Sequence, residues 1–454
     1  MRKTGKRILC RKTVLIVCGF LLISSLFCCS TVVTSKQYSG RTLSMYRFFQ
    51  QYSTRMDTIQ KDRALENYIS ELSITEKIGQ LFIINLEGSK QFTKKSDYNN
   101  SIPPGGYLFF AYNIAPDPGE VIGFTDSIYA YYEDSISPFL CIDHEGGMVN
   151  RLRSVTSALP SAMTVSEECS VHEAYELYEN AAAQLKILGF SLNLAPVAEP
   201  LLAENRDFLQ DRSFGSIQKT VEFSRVMIKA FQKNSILCAV KHFPGNSNVD
   251  PHTSLPLLSV DDAYFNNNMI VPFEQILGAA KYSCAVLLSH AVVPSVTGTD
   301  PSCFSKNLIQ GILKDSIGFQ GLILTDDIFM GALAHNEFNA SEAVINALKA
   351  GAHMVMSSQK SFYPIGAVLE KKYGEDKDLR ICVNQAVQTV LKSKLTNGVL
   401  QYKTTHTVQF PFLPEVRKYD VSNASPPVSK RDRMSLFTVL KQKGERLNAE
   451  FFNK

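Results

Sequence analysis

Apolar and polar positions alternate in blocks along most of this chain. Short apolar runs of strand length lie at residues 81–86, 107–110, 139–142, 191–195, 238–240, 285–288, 322–324 and 354–356. Between them lie stretches with helical spacing, among them 118–132, 171–188, 217–234, 272–281, 306–317 and 340–350. Ser73-Ile74-Thr75-Glu76 has the form of a capping box, which starts a helix just ahead of the first run. Runs that are apolar throughout read as strands buried on both faces. Eight strand–helix alternations predict an α/β fold, a (β/α)8 TIM-type barrel, with an open doubly wound sheet as the alternative.

Polar residues follow the apolar runs. Asp143-His144-Glu145 comes after the third, Glu199 after the fourth, and Lys241-His242 after the fifth. Ser289-His290 follows the sixth and Asp326-Asp327 the seventh. One strand-end aspartate is commonly a helix N-cap. Five successive strands ending this way are hard to obtain from capping, and in a barrel the C-terminal strand ends carry the chemistry. The predicted rim therefore holds Asp143, Lys241, His242, His290 and Asp326.

The stretch Ala239-Val240-Lys241-His242-Phe243-Pro244-Gly245 closes one strand with a turn, and Asp250-Pro251-His252 follows shortly after. Residues two apart in an extended segment point the same way, and Pro251 biases Asp250 toward extended backbone. Asp250 is thus placed to orient the His252 imidazole and favour its protonated form. The ordinary reading of an Asp-x-His triplet is a pair of solvated loop residues.

These residues resemble the signature of the β-N-acetylglucosaminidase branch of glycoside hydrolase family 3, single-domain type. There a Lys-His-Phe-Pro-Gly strand end precedes a loop with an Asp-Ser-His. Here the loop is two residues shorter, and Pro251 stands where the serine is usual. Asp143-His144-Glu145-Gly146-Gly147-Met148-Val149-Asn150-Arg151 is similar to the family's Asp-x-Glu-Gly-Gly-Arg-Val-x-Arg segment, with Met148 in place of an arginine. Arg212-Ser213-Phe214-Gly215 resembles a sugar-binding segment. Leu324-Thr325-Asp326-Asp327 resembles the strand that carries the nucleophile. The resemblance implies a retaining glycosidase with Asp326 as nucleophile and His252, oriented by Asp250, as acid/base. It further implies that Asp143, Arg151, Arg212, Lys241 and His242 bind the sugar. An imidazole with a pKa near 6.5 suits both proton-transfer roles near neutral pH.

The two ends read differently from the body. In residues 1–29, six basic side chains precede an apolar run from Val14 to Phe27, the pattern of an export leader. Cys28 and Cys29 stand where a lipoprotein signal places its acylated cysteine. Lipoprotein, uncleaved anchor and cleaved signal all stay open, and each places the domain outside the cytoplasm; the expected place is the cell envelope, as a lipoprotein or membrane-anchored protein on the periplasmic or extracellular face. Residues 30–60 read as a polar tether, 61–400 as the barrel domain, and 401–454 as an appendage with one helix near 434–451. Net charge is +4, and it turns to −2 once the leader's six cations are set aside. Basicity thus belongs to the leader, and nucleic-acid binding has no support. Cysteines of the body show no C-x-x-C pair, and several sit in apolar runs, as small buried hydrophobes do.

No phosphate-binding glycine loop or metal-ligand cluster appears, so neither cofactor nor metal is expected. The chain has no Trp, so any stacking on a sugar falls to Tyr or Phe. The expected function is an exported exo-β-N-acetylglucosaminidase acting on peptidoglycan fragments or chito-oligosaccharides. The partner is then a carbohydrate, with membrane contact only through the leader or a lipid anchor. One alternative is a β-N-acetylglucosaminide phosphorylase. A second is a catalytically inactive sugar-binding lipoprotein, to which the shortened loop and Met148 would point.

Overall fold

The computed structural model describes residues 40–93, 102–251, 253–279, 284–328, 339–408, 416–424 and 428–452, with backbone alone at 40–53, 279, 408 and 416. The described residues between 60 and 406 and between 417 and 452 make one compact unit, which carries the barrel and the candidate site.

Each predicted apolar run becomes a barrel strand. In chain order these are β1 (Phe82–Asn85), β2 (Gly106–Phe109) and β3 (Phe139–Ile142). A small hairpin follows, β4 (His144–Gly146) with β5 (Val149–Asn150). The barrel continues through β6 (Leu192–Asn193), β7 (Leu237–Phe243), β8 (Cys284–Leu288), β9 (Leu322–Asp327) and β10 (Met354–Ser357). Neighbours are parallel throughout, and the ring closes where Phe82 of β1 registers with Val355 of β10. The (β/α)8 barrel is therefore the fold, and the open sheet is excluded.

Strand alternation sorts the core into two layers. Ile83, Cys141, Leu237, Leu287, Leu324 and Met356 point into the barrel. Phe82, Leu140, Cys238, Val286, Ile323 and Val355 point outward, against the helices. Burial on both faces is why these strands lack polar alternation. Among the described residues the cysteines are unbridged, and all but Cys382 are buried.

The helix Lys377–Thr396 closes the end of the barrel where the strands begin. Its Lys394 is fully buried and donates to Gln80 Oε1 at 2.6 Å and to the Ser137 carbonyl at 2.7 Å. Burial pulls this amine down from the ordinary 10.5 to about 7. The unfolded chain holds a proton here that the fold releases, so stability rises with pH between about 7 and 10.5. Lys394→Met should remove that rise, leaving thermal melts flatter across the window than those of the wild type.

Beyond residue 400 the described residues form two strands and a helix. Strands β11 (Leu400–Val408) and β12 (Val416–Asn423) pair with each other. The helix Lys430–Phe452 covers the predicted 434–451 and packs against the barrel helix Val171–Ile187. Phe437, Leu447 and Phe451 are its buried anchors. Gly444 makes the close approach possible, since a Cβ there would lie 2.1 Å from Ser157 Oγ. Among the described residues, no helix is long and apolar enough to cross a membrane.

Candidate active site

Because the barrel is parallel, residues that end successive strands meet on one rim. Asp143 follows β3, Lys241 and His242 lie at the end of β7, His290 follows β8, and Asp326 lies at the end of β9. The five residues expected together on the rim are there.

Four side chains on one side of this rim form an ion cluster. Lys241 Nζ lies 2.8 Å from Asp143 Oδ1 and 2.6 Å from Glu145 Oε1. Arg212 grips the same Glu145 with two parallel bonds, Nε to Oε2 at 2.9 Å and Nη2 to Oε1 at 3.0 Å. Burial alone would raise the Glu145 carboxyl, but the charges of Lys241 and Arg212 overcome it and hold the pKa at about 2. Burial works against the Lys241 ammonium too, and the two carboxylates more than offset it, raising its pKa. Arg212 is raised in the same way by Glu145. The buried Lys241 and Glu145 and the half-buried Arg212 and Asp143 thus balance in charge, the condition for holding ions where water is scarce.

The chain builds this cluster with a tight turn. After β3 the backbone folds into the β4–β5 hairpin through Gly146 and Gly147, both with positive φ (106° and 54°). A Cβ on Gly146 would meet the Pro160 carbonyl oxygen at 2.1 Å, so glycine is required there. In the extended segment before the turn, Asp143 and Glu145 share one side and His144 takes the other. His144 is fully buried, and burial lowers its pKa to about 4, so it stays neutral and donates from Nδ1 to Asn150 Oδ1 at 3.0 Å. Asn193 of β6 accepts from the His144 amide and donates to its carbonyl, locking the hairpin onto the barrel. Arg151 leaves the hairpin half-buried, its amide donating to the Asp143 carbonyl at 3.2 Å. Among the described residues its buried Nε has no partner.

Glu199, after β6, organises the neighbouring part of the rim. It is 1% exposed and accepts from His242 Nδ1 at 2.6 Å and from the Asn246 amide at 2.6 Å. A carboxylate only accepts, so Nδ1 carries the proton and Nε2 is the nitrogen left for other contacts. The peptide bonds Lys241–His242 and Phe243–Pro244 are cis. Sequence reasoning placed Glu145 and Glu199 at strand ends without assigning them a part. The available signal was the two-residue spacing of Glu145 from Asp143, which puts both carboxylates on one side.

Asp326 is half-buried. Its Oδ1 accepts the amide of Asp327 at 2.8 Å, which orients the carboxylate. His290, buried, donates from Nε2 to the Asp327 carbonyl at 3.0 Å and braces the strand end. The loop after β7 is tethered by Asn246 to Glu199 and by Asn248, whose side chain spans the Asp207 amide and the Ala203 carbonyl. Asp250 lies exposed at its far end, where its carbonyl accepts the amides of Thr253 and Ser254. His252 lies outside the described residues. Among the described residues, no group of three or more His, Cys, Asp and Glu side chains converges as a metal ion would need.

The match that decides the family covers residues 73–392, which fit the Glycosyl hydrolase family 3 N terminal domain. The chain belongs to glycosyl hydrolase family 3. This family-3 chain is 28% identical over 261 residues to a protein named beta-hexosaminidase from Nitrosomonas eutropha, spanning 56% of this chain and 73% of that one. It is 31% identical over 228 residues to beta-hexosaminidase LpqI of Mycobacterium tuberculosis, spanning 47% of this chain and 57% of LpqI. The barrel also superposes on a family 3 beta-N-acetylglucosaminidase from a Paenibacillus species. The TM-score is 0.67 at 22% identity, covering 82% of this chain and 69% of the other. At that identity the superposition speaks for the family-3 fold.

Proposed function

We propose that this protein is an exported, retaining exo-β-N-acetylglucosaminidase, removing terminal β-linked N-acetylglucosamine from peptidoglycan fragments or chito-oligosaccharides. One observation carries the reading above all. The Asp143–Lys241–Glu145–Arg212 cluster, a preorganised set of hydroxyl-binding groups, stands on the same rim as Asp326. The name of the relatives, beta-hexosaminidase, supports a hexosaminide substrate. The basic-then-apolar leader, which lies outside the described residues, supports export.

In this mechanism Asp326 attacks the anomeric carbon with the oxygen not held by the Asp327 amide, and a glycosyl-enzyme forms. The leaving oxygen takes a proton from the His252 imidazolium. In the second step His252 removes a proton from water, which displaces Asp326 and releases the sugar. Asp250 orients His252 and supports its charge. Asp143, Lys241, Arg212, Arg151 and His242 bind the sugar hydroxyls. Turnover of a chromogenic N-acetylglucosaminide by the purified protein tests the reading, and no release of the chromophore or of N-acetylglucosamine would overturn it.

The acid/base assignment makes its own prediction. His252→Ala should slow cleavage of poor leaving groups far more than cleavage of activated aryl glycosides. General-acid help is worth about 10²–10⁴-fold and matters most when the departing oxygen is basic. Asp250→Asn should act in the same direction. Added azide should partly restore His252→Ala, since it attacks the glycosyl-enzyme without base assistance. Equal losses on good and poor leaving groups would make His252 a sugar-positioning group instead.

A further inference from the structure

Every parallel crossover of the barrel but the first carries a helix. Between β1 and β2 the described residues hold none, which leaves the outer face of β2 open at that point. Side chains of the helices Ile74–Gly79, Pro118–Tyr131 and Gln359–Glu375, with Phe92 from the connection, ring a cavity there of about 620 Å³. Five aromatic residues line it: Phe92, Tyr107, Tyr131, Tyr132 and Tyr363. Tyr107 belongs to the outward-pointing layer of β2, so the cavity lies on the barrel's flank and not in its mouth. The rings form walls rather than a stack. Phe92 meets Tyr107 at 62° and Tyr131 at 71°, with centroids 5.4 and 5.2 Å apart, and Tyr131 meets Tyr132 at 76° and 5.0 Å. Phe92 is fixed in place, since its amide donates to Ser127 Oγ at 2.8 Å on the helix Pro118–Tyr131. Tyr131 is 43% exposed and gives the cavity its opening to solvent.

The charge around this cavity has one sign. Glu76 lines it, and among the described residues no Lys or Arg does. The capping box places both Ser73 bonds on Glu76 Oε2, at 2.9 Å from the amide and 2.7 Å from the hydroxyl, which leaves Oε1 for other contacts. The two buried phenols, Tyr107 and Tyr132, bond to each other at 2.8 Å, and burial raises both, so they stay uncharged. We propose that this cavity is a binding site for a small organic cation, a quaternary ammonium of the choline type, apart from the site on the rim. Ring faces carry negative electrostatic potential, and rings set at steep angles turn several faces toward one space, which suits a cation that has no N–H groups. The Glu76 carboxylate supplies the opposite charge. A primary ammonium fits less well, because each of its three N–H groups needs an acceptor and the phenols are engaged with each other. The site goes beyond hydrolysis and does not depend on it.

Calorimetric titration of the full chain with choline, and with its uncharged carbon isostere 3,3-dimethylbutan-1-ol, tests this. Choline should bind saturably and on the order of tenfold more tightly than the isostere. No saturable binding of choline, or equal binding of the two, overturns the proposal. Tyr131→Ala removes one wall and should weaken choline binding on the order of tenfold, whereas Tyr131→Phe keeps the ring face and should bind as the wild type does. Glu76→Gln keeps a capping box, which accepts either residue at that position, and should weaken choline binding by removing the charge. Tyr131 is exposed and the capping box survives, so thermal melts of these variants should match the wild type. Unchanged choline affinity in Tyr131→Ala or in Glu76→Gln would place choline outside this cavity and overturn the site. A loss in Tyr131→Phe as large as in Tyr131→Ala would overturn it too, since the face would then not be the contact.

Discussion

Asp326→Ala should abolish hydrolysis, with a loss on the order of 10⁴-fold or more in kcat, and leave the fold in place. The loss follows from the role: without the carboxylate no glycosyl-enzyme forms, and no neighbour stands in the same place. The retained fold follows from the packing. Asp326 lies at the open end of β9, half-buried, and its side chain makes its hydrogen bond to the adjacent Asp327 amide. Losing one such bond costs about 1 kcal/mol. Thermal melts should therefore shift little while initial rates on a chromogenic N-acetylglucosaminide vanish. A fluorinated glycoside that leaves its sugar on the enzyme should label the peptide bearing Asp326 in the wild type and not in the variant. Near-normal turnover by Asp326→Ala would sink the mechanism and make Asp327 the next candidate. Asp327 is the weaker choice at the outset, since Asp326 is the residue that matches the family's attacking aspartate and the Asp327 carbonyl is engaged by His290.

How far the sequence could be read depended on what each element buries. Barrel strands are buried on both sides, so Phe139–Ile142 or Leu322–Leu324 stand out as unbroken apolar runs, and all eight were legible. Their parallel order then placed Asp143, Lys241, His242, His290 and Asp326 on one rim without further information. The pair β11 and β12 carries the opposite pattern. Gln401, Lys403, Thr404, Thr405 and His406 are exposed, and the strand has no continuous apolar face to announce it. Glu145 was visible as part of a motif, but its work depends on Arg212, which arrives 67 positions later in the chain. The ionic cluster is likewise a product of the ring closing, which turns distant strand ends into neighbours.

Removing the carboxylate at the centre of that cluster should have the largest effect on the scaffold of the site. Glu145→Ala leaves the buried Lys241 ammonium with Asp143 and takes the bidentate partner from the half-buried Arg212 guanidinium. Breaking a buried pair by deleting one partner typically costs about 3–5 kcal/mol, mostly because the remaining charge stays in poor solvent. Glu145→Gln keeps the shape and some of the hydrogen bonds but loses the charge, so it should be less destabilised and still impaired. Both should raise KM for N-acetylglucosaminides, because Lys241 and Arg212 lose the group that aims them at the sugar. The pH dependence tests the cause. Glu145 has its carboxyl lowered from 4.5 to about 2 in the fold, so its stabilisation is complete above about pH 4.5 and drains away as pH falls toward 2. Thermal melts across that range should fall more steeply for the wild type than for Glu145→Gln, whose side chain cannot titrate. Parallel acid limbs for the two proteins would show that the charge on Glu145 is not what holds Lys241 and Arg212 in place.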